Sequence, residues 1–542
     1  MQLEVNDLLK SNTWTILPKP NRASIIKGRW VLNKKYNLDN SIKKYKARWV
    51  AKGFLQKYNI NYKETFASTS KPSLIRLLLS IFAYLDWEIY TWDVKQAFPN
   101  AEIDISNIYL QLPIGFEEYI LREALKSIED KSLINYINNI IKNKDYSNII
   151  CKLNKALYGL KQASRQWQLF LTKILEEIGF KAIKIDTSIF IHTSKPIILA
   201  THVDNILVFT VNIDLVNNLY KTLSTTSKLE ITNLGEIKEF LGVEIIRNRS
   251  KRSIIITQYS FINKVLTKFN KLNNKPKSIP LPIGIKLEKY LDESTVIKDF
   301  QQQIGSLIYL TIFTRPDLVY SVNYLARFMS NPSVEHLKYL DYVFSYLVKT
   351  KNLGLDLTLQ SALDSTTKTN NCISLLGISD ADWGGDLDSR KSTSGNFFTL
   401  QSNNKLAAIS WLSKLQKTVA LSSAEAEYMS LKEATKESIY LQNVIKELFL
   451  ENNTSKEFNI FNTLSTIKTD SLSAIELAKN PVYHARTKHV DITYHFVREN
   501  LLSNRIQLVY ENTSTILADN LTKATPPPKF CDFISRIQLI EL

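Results

Sequence analysis

Apolar and aromatic residues occur in short strand-like groups at the start of the chain and in longer runs further on. The short groups predict strands at 27–36 and 45–53. The first long apolar run predicts a helix at 72–86, and a strand then leads into residues 92–98. Polar residues with helical spacing predict an inserted helical segment at 117–146. The first part of the chain is therefore expected to mix strands and helices.

The middle of the chain is predicted to contain strands arranged in pairs. Apolar segments predict strands at 186–192 and 197–210. The second segment breaks at the Asp-Asn dipeptide 204–205, whose residue types favour the tip of a hairpin. Residues 240–247 and 253–257 predict a further strand pair.

Helical spacing dominates residues 258–352, where three amphipathic runs predict helices. Residues 353–373 contain a Ser/Thr/Asn cluster and are interpreted as a linker. A compact β-β-β-α-β-α-β-α pattern follows and ends near residue 523. The final residues, which include three consecutive prolines, are interpreted as a tail.

The composition is that of a soluble globular protein with several domains. The chain has 542 residues, of which 44% are hydrophobic and 22% are charged, and this length exceeds one ordinary core. Lys and Arg number 69 against 52 Asp and Glu, so the formal net charge is +17. This surplus favours a polyanionic partner, with a lysine-rich surface from biased codon usage as the alternative. Three distant cysteines and the lack of a signal or bilayer-spanning pattern indicate a reducing compartment and no membrane.

Four carboxylates in the last third of the chain occur where strand ends and helices can bring them together. Asp380 and Asp470 end predicted strands, whereas Glu427 and Asp519 lie in predicted helices. Two Mg²⁺ ions about 4 Å apart need several oxygen anions, so this ordered set favours a two-metal nuclease. Each acid alone has a simpler interpretation, and Asp470 could be an ordinary helix N-cap.

The residues around these acids resemble the RNase H domain of copia-type LTR retrotransposons. Five segments carry the resemblance, at 377–398, 405–431, 468–481, 484–499 and 517–523. It implies that the four acids are catalytic metal ligands, and it favours substrate-phosphate contacts for Arg486 and Lys488. The histidines His484, His489 and His495 suggest a zinc site instead, which the lack of a nearby cysteine makes the less favoured alternative.

A similar resemblance to copia-type reverse transcriptases covers nearly all of the remaining chain. Its segments lie at 26–67, 92–101, 152–167, 234–245 and 304–333. It implies an α+β right-hand polymerase with fingers, palm, thumb and connection, followed by an α/β RNase H-like domain with a mixed five-stranded sheet. The implied parts are fingers and palm at 1–257, thumb and connection helices at 258–352, a linker at 353–373, the RNase H-like domain at 374–525 and a tail at 526–542.

Polymerase chemistry is expected at acids on two adjacent strands. Asp93 at a strand end and Asp204 at a hairpin tip can hold two Mg²⁺ between the primer 3′-hydroxyl and the triphosphate. The resemblance assigns the main chain of Val94 and the steric-gate ring of Phe98 to the nucleotide, because such a ring excludes a 2′-hydroxyl. It suggests nucleotide contacts for Lys46, Arg48 and Gln162 and a nucleic-acid contact for Arg165, with a solvated surface as the alternative for the basic residues.

The predicted hairpin tip departs from the family pattern of an aromatic residue, any residue and two aspartates. His202 replaces the aromatic residue and Asn205 replaces the second aspartate, so Asn205 is a degenerate member of the catalytic set. The loss of a negative charge beside two divalent ions is expected to weaken transition-state stabilisation. Pro99, Ser164 and a long insertion at 117–150 are further departures.

The leading hypothesis is an RNA-directed DNA polymerase with RNase H activity, which is both a nucleotidyltransferase and an endonuclease. It would copy retrotransposon RNA into DNA and degrade the RNA of the hybrid. The resemblance implies two Mg²⁺ per active site, with Mn²⁺ as a substitute, and an RNA template, a DNA primer, an RNA–DNA hybrid and deoxynucleoside triphosphates as partners. Integrase and gag parts of the same polyprotein are further expected partners, in a cytoplasmic virus-like particle or in the nucleus. The alternative is a decayed retrotransposon copy that binds nucleic acid and keeps only RNase H activity.

Overall fold

The computed structural model describes residues 1–21, 23–36, 41–226, 229–359, 372–402, 405–450, 461–462, 464–479 and 488–542. The chain forms two compact units. Unit 1 comprises residues 1–69, 90–208 and 214–235, and unit 2 comprises residues 70–89, 209–213 and 236–542. Each unit is assembled from separate stretches of the chain, and the implied domain names stay predictions.

Strands occur from the start of the chain to its last residues. Among the described residues they are β1 (Trp14–Pro18), β2 (Ile25–Ile26), β3 (Gly28–Tyr36), β4 (Ile42–Ala51), β5 (Glu88–Val94), β6 (Tyr109–Leu110), β7 (Ile149–Leu153), β8 (Phe180–Ala182), β9 (Ile189–His192), β10 (Ile197–His202), β11 (Asn205–Thr210), β12 (Ile231–Glu236), β13 (Glu239–Phe240), β14 (Val243–Asn248), β15 (Ser253–Thr257), β16 (Leu353–Asp356), β17 (Ser374–Ala381), β18 (Thr393–Ser402), β19 (Lys405–Leu415), β20 (Ser465–Thr469), β21 (Ile506–Tyr510) and β22 (Leu539–Glu541). The strands predicted at 27–36, 45–53 and 253–257 are confirmed as β3, β4 and β15.

Helices cover much of the chain between these strands. Among the described residues they are α1 (Gln2–Lys10), α2 (Pro72–Tyr84), α3 (Ala97–Asn100), α4 (Glu117–Leu125), α5 (Lys131–Asn143), α6 (Ala163–Glu177), α7 (Ile213–Thr226), α8 (Tyr259–Lys268), α9 (Ile297–Phe313), α10 (Val319–Ala326), α11 (Val334–Lys349), α12 (Ser423–Ile445), α13 (Leu472–Lys479), α14 (Lys488–Leu502), α15 (Asp519–Thr522) and α16 (Pro527–Arg536). The helix predicted at 72–86 is confirmed as α2, and the segment at 117–146 contains α4 and α5. No helix in the described part of the chain is both long enough and apolar enough to cross a bilayer.

Unit 1 is built on a six-stranded sheet with the order β12-β5-β11-β10-β9-β8. Because β5 and β11 are neighbours, the strand that contains Asp93 lies beside the strand that follows Asp204. A separate two-stranded ribbon is formed by β3 and β4, which pair antiparallel from Gly28 and Ala51 onward. The sheet and the ribbon therefore carry the acidic and basic residues that were predicted for the polymerase.

Unit 2 contains a five-stranded sheet with the order β19-β18-β17-β20-β21. Its central strand β17 pairs antiparallel with β18 and parallel with β20, and β20 is parallel to β21. Most of β17 is buried, as expected for a strand covered on both faces. The mixed five-stranded sheet of the predicted RNase H-like domain is confirmed. The order of elements contains one helix more than predicted, since both α13 and α14 lie between β20 and β21.

The predicted tail at 526–542 is wrong, because these residues form α16 and β22. Proline is tolerated in the first turn of a helix, where its missing N–H would have no helical partner. Phe530 and Phe533 are buried on α16, and β22 pairs antiparallel with β16. The linker interpretation is therefore also wrong for β16, while residues 360–371 of that stretch lie outside the described residues.

The hairpin between β10 and β11 turns at Val203 and Asp204, one residue earlier than predicted. Asn205 is already the first residue of β11. Val203 has a φ of 56°, which is uncommon for a β-branched residue. Its carbonyl accepts a hydrogen bond of 2.6 Å from the indole N–H of Trp167, which holds the turn in place. Asp204 is thus presented by a strained backbone turn.

Within unit 2, the buried guanidinium of Arg76 fastens α2 to the five-stranded sheet. It donates to the Ile409 carbonyl in β19 at 2.7 Å and to the carbonyls of Ile312 and Phe313 at 2.8 and 2.9 Å. It also lies 3.8 Å from the centre of the Trp411 ring. Burial lowers the pKa of Arg76 to about 9. The sheet that carries the predicted nuclease acids is therefore attached to both α2 and the end of α9.

Candidate active site

Three of the four predicted nuclease acids meet at one edge of the five-stranded sheet in unit 2. Asp380 lies near the end of β17 and Asp470 directly follows β20, and the carboxyl ends of these parallel strands share an edge. Glu427 lies in the second turn of α12. Carboxylate oxygens of the three residues lie within 4.8 Å of one another. This group offers the oxygen ligands that Mg²⁺ prefers.

Asp380 is buried and held in a fixed position. The Thr522 hydroxyl in α15 donates to its carboxylate at 2.5 Å, and the Ser430 hydroxyl in α12 donates to its backbone carbonyl at 2.8 Å. Burial, followed by the nearby charge of Asp519, raises the pKa of Asp380 to about 7. The ionised form of the buried Asp380 carboxylate is therefore unfavourable unless a cation compensates its charge.

Glu427 shows the same need for a positive charge. Its Oε2 atom is buried and makes no hydrogen bond to any described residue. Burial raises the pKa of Glu427 to about 9, with further contributions from the charges of Asp380 and Asp470. A buried acceptor without a partner, beside two further carboxylates, fits a bound divalent cation.

Asp519, the fourth predicted acid, is buried at the start of α15 and lies outside the group of three. The ammonium nitrogen of Lys523 is 2.6 Å from its Oδ1 atom, and that of Lys529 donates to Oδ2. Both oxygens of this carboxylate therefore face lysines that the sequence interpretation missed. The spacing of four residues from Asp519 was a signal for Lys523. Lys529 carried no such signal, because it lies in the stretch that was interpreted as a tail.

Gly395 allows α15 to lie close against the sheet. It is paired with Asp380 across β17 and β18. A Cβ atom at Gly395 would lie 2.7 Å from the Thr522 side chain, 2.9 Å from that of Leu521 and 3.0 Å from the Ala518 carbonyl. The helix that carries Thr522 and the fourth acid therefore needs a residue without a side chain at this position.

The predicted polymerase acids lie on neighbouring backbone segments in unit 1. The N–H of Val94, directly after Asp93, donates to the Asp204 carbonyl at 2.8 Å. The amide of Asn205 donates to the Asp204 carboxylate at 3.0 Å. The backbones of Asp93 and Asp204 are thus neighbours and Asn205 is directed towards Asp204, while a metal site shared by the two acids stays a prediction.

An aromatic residue that the sequence interpretation missed links the remaining polymerase candidates. The Arg48 guanidinium lies 4.0 Å from the Asp204 carboxylate and 4.6 Å from the centre of the Tyr158 ring. The Phe98 ring meets Tyr158 edge-on, with centroids 5.0 Å apart. Burial raises the pKa of Tyr158 to about 12, so its hydroxyl stays protonated. Its position within the matched segment 152–167 was the available signal.

The structure places Gln162 against a loop. Gln162 is buried, its side-chain N–H donates to the Asn61 carbonyl at 2.8 Å, and its oxygen accepts from Gln56 at 3.0 Å. Both ends of its amide therefore hold a loop, and its predicted nucleotide contact stays a prediction. Arg165 forms an ion pair of 2.6 Å with Glu64. Its predicted nucleic-acid contact stays a prediction, as does the nucleotide contact of the half-buried Lys46.

The predictions around the three C-terminal histidines are only partly open to description. His484 and Arg486 lie outside the described residues, and Lys488, His489 and His495 lie in α14. In the part of the chain that the structure describes, the group of three or more metal-binding side chains is the carboxylate group, which contains no histidine. Roles for Arg486 and Lys488 in binding substrate stay predictions.

Known proteins are similar to this chain along almost its whole length. Residues 11–135 and 135–283 match the family described as reverse transcriptase (RNA-dependent DNA polymerase). The chain is 35% identical to the "Retrovirus-related Pol polyprotein from transposon TNT 1-94" of Nicotiana tabacum, over 98% of the chain and 37% of that relative. It is 34% identical to the polyprotein from transposon RE1 of Arabidopsis thaliana, over 99% of the chain and 33% of that relative. A solved foamy viral protease-reverse transcriptase in complex with RNA/DNA hybrid is 13% identical with a TM-score of 0.49, over 94% of this chain and 53% of that one.

The chain spans about a third of the length of the curated relatives that it matches. Those relatives nevertheless cover both the polymerase-like and the nuclease-like regions, and the family match alone extends over about half of the chain. The predicted resemblance to copia-type retrotransposon polyproteins is thereby confirmed, and the chain belongs to the reverse transcriptase (RNA-dependent DNA polymerase) family.

Proposed function

We propose that the chain degrades the RNA strand of an RNA–DNA hybrid and that it is the nuclease part of an RNA-directed DNA polymerase. The observation that carries this proposal is the meeting of Asp380, Glu427 and Asp470 within 4.8 Å at one edge of a mixed five-stranded sheet. A net charge of +17 supports a polyanionic substrate. Membership of the reverse transcriptase family supports the pairing of this site with polymerase chemistry.

The residues present fit the divalent ions that such chemistry needs. Asp380, Glu427 and Asp470 would hold one Mg²⁺, and Asp519 with Asp380 would contribute to a second, with Mn²⁺ as a substitute. When bound, the two ions supply an activated water and stabilise the leaving oxygen of the phosphodiester. The unpartnered Glu427 oxygen and the raised pKa values of Asp380 and Glu427 support this assignment.

The chain itself orients the acids. Hydrogen bonds from Thr522 and Ser430 fix the carboxylate and the carbonyl of Asp380, so the acid does not need to reorganise when charge develops beside it. α12 supplies both Ser430 and Glu427, which links the positions of two of the acids. Such preorganisation is a main source of catalysis in phosphodiester hydrolysis.

Cleavage of a hybrid tests this proposal directly. An RNA–DNA hybrid with labelled RNA is incubated with Mg²⁺ and either the wild type or the Asp380→Asn variant. We expect the variant to be slower by about 100-fold or more, because it loses a buried charged ligand. Asp388→Asn changes an exposed aspartate in the same domain and is expected to cleave within about 2-fold of the wild type. Unchanged cleavage by Asp380→Asn would remove the nuclease assignment.

Primer extension is the second proposed activity, with an RNA template, a DNA primer and deoxynucleoside triphosphates as substrates. It is supported by the adjacent backbones of Asp93 and Asp204 and by the Arg48, Tyr158 and Phe98 contacts beside them. The decayed-copy alternative is supported by Asn205, which adds a neutral amide where the family pattern has a second carboxylate. The cytoplasmic or nuclear location, and the integrase and gag partners, stay proposals from the family resemblance.

A further inference from the structure

The fourth nuclease acid differs from the other three in what surrounds it. Lys523 approaches Asp519 Oδ1 at 2.6 Å, and Lys529 donates to Asp519 Oδ2. The carboxylate of Asp519 is almost fully buried, with 3% of its side chain exposed. Glu427 Oε2 and Asp519 Oδ1 are both buried without a hydrogen bond to any described residue, but Asp519 Oδ1 has the Lys523 ammonium at ion-pair distance. The site thus contains one neutralised acid beside acids that still need a cation.

The two lysines are placed differently. Lys523 follows α15 and half of its side chain is exposed, whereas 25% of the Lys529 side chain is exposed. Lys529 also donates to the Thr513 carbonyl at 2.8 Å, so its ammonium has two fixed acceptors. α16, which carries it, is anchored by the buried rings of Phe530 and Phe533. A helix packed through two buried rings therefore places the Lys529 ammonium beside Asp519.

We propose that Lys529, assisted by Lys523, is a positioning residue. Its ammonium group acts as a counter-ion to the Asp519 carboxylate and competes with the second divalent ion for that carboxylate. This inference rests on the proposed nuclease function. A carboxylate has a limited number of lone pairs, and an ammonium and a metal ion repel each other at short range. Binding of the second ion therefore requires the ammonium groups to withdraw from Asp519, which weakens its affinity. The first ion depends on Asp380, Glu427 and Asp470, and its affinity is affected much less.

The test counts Mn²⁺ ions bound to the full chain by electron paramagnetic resonance, without nucleic acid. Asp519→Asn identifies the second ion and Asp470→Asn the first, whereas Asp380→Asn is expected to weaken both, because Asp380 contributes to each. We expect Lys529→Met to tighten the Asp519-dependent ion by about 5-fold and the other ion by less than about 2-fold. Lys523→Met, which changes a more exposed side chain, is expected to act in the same direction by a smaller factor. It serves as the second test if Lys529→Met does not fold.

Lys436→Met is the matched control, because Lys436 forms an ion pair of 3.1 Å with Glu433 on the exposed face of α12. It removes the same charge from the same domain and is expected to leave both ions unchanged. Equal Mn²⁺ affinities in the wild type, Lys529→Met and Lys523→Met would overturn the inference, as would equal tightening of both ions. An Asp519-dependent ion that binds more weakly in both lysine variants would overturn it too. A wild type that binds no Asp380-dependent Mn²⁺ would instead overturn the proposed function on which the inference rests.

Discussion

The proposed nuclease and polymerase sites of this chain differ in how the charges of their acids are compensated. In the nuclease site, Asp380, Glu427 and Asp470 meet within 4.8 Å, and burial raises the pKa values of the first two. In the polymerase site, Asp204 is half-buried, 4.0 Å from the Arg48 guanidinium and bonded by the Asn205 amide. The first site concentrates negative charge, and the second disperses it.

This difference affects how strongly each site is expected to bind a cation. Buried like charges lower the free energy of unfolding, and a bound divalent ion relieves their repulsion, which strengthens ion binding. The nuclease site is therefore expected to be unstable without metal and to bind it from its own residues. The polymerase site has fewer uncompensated charges and is expected to depend more on the phosphates of its substrates. Substitutions in either site test this expected difference.

Loss of a polymerase acid should separate the two activities completely. We expect Asp93→Asn, made in an Asn205→Asp background, to slow primer extension on an RNA template by about 100-fold or more, because one anion is lost from the metal pair. Cleavage of an RNA–DNA hybrid by the same protein should stay within about 2-fold of its parent. A fall in both activities would show that the acids of one site support the other.

Removal of a nuclease acid should stabilise the metal-free protein. The pKa of Glu427 is raised from 4.5 to about 9, so ionisation opposes folding and wild-type stability falls as the pH rises through that window. We expect Glu427→Gln to raise the free energy of unfolding by about 2 kcal/mol near pH 9 and by little near pH 5. Urea unfolding in EDTA measures this difference, and added Mg²⁺ should reduce it.

Glu433→Gln, which breaks an exposed ion pair, should change the free energy of unfolding by less than about 0.5 kcal/mol. A loss of stability in Glu427→Gln at pH 9 would contradict the picture of an uncompensated acid.

Restoration of the second aspartate should strengthen the weaker site. We expect Asn205→Asp to increase primer extension by about 10-fold, because it adds a carboxylate beside Asp204 and the expected ions. Asn217→Asp adds the same charge on an exposed position of α7 and should leave the rate unchanged. Equal rates for the wild type and Asn205→Asp would mean that the amide is not a defect and would remove the main support for a decayed copy.

The acids of both sites could be predicted because their signals are local. Asp380 and Asp470 stand at the ends of apolar strands, and parallel strands bring such ends to one edge. The resemblance of the surrounding segments then implied that these acids belong to one set. The spacing of residues could not show that one oxygen of Glu427 makes no hydrogen bond to any described residue, or that two lysines approach Asp519, because these features depend on contacts between distant elements.

Other features escaped prediction for the same reason. Gln162 stands in a matched segment, and the sequence did not show that its side chain is buried against a loop about 100 residues away along the chain. The end of the chain was interpreted as a tail because three prolines suggest an interruption, but Phe530, Phe533 and the pairing of β22 with β16 hold it on unit 2. Short elements at a chain end acquire their structure from tertiary packing, which local sequence patterns do not show.

The smallest expected effect concerns the spacing between α15 and the sheet. A Cβ atom at Gly395 would lie 2.7 and 2.9 Å from side-chain atoms of α15, so Gly395→Ala should displace this helix and the acid at its start by a few tenths of an ångström. We expect hybrid cleavage to fall by about 3-fold, while primer extension is unchanged. Gly305→Ala is the matched control, because a Cβ atom there meets nothing within 4 Å and alanine favours the helix α9. If Gly395→Ala cleaves as fast as Gly305→Ala, the nuclease site tolerates movement of α15. The close packing of α15, which carries Asp519, would then not be needed for hybrid cleavage.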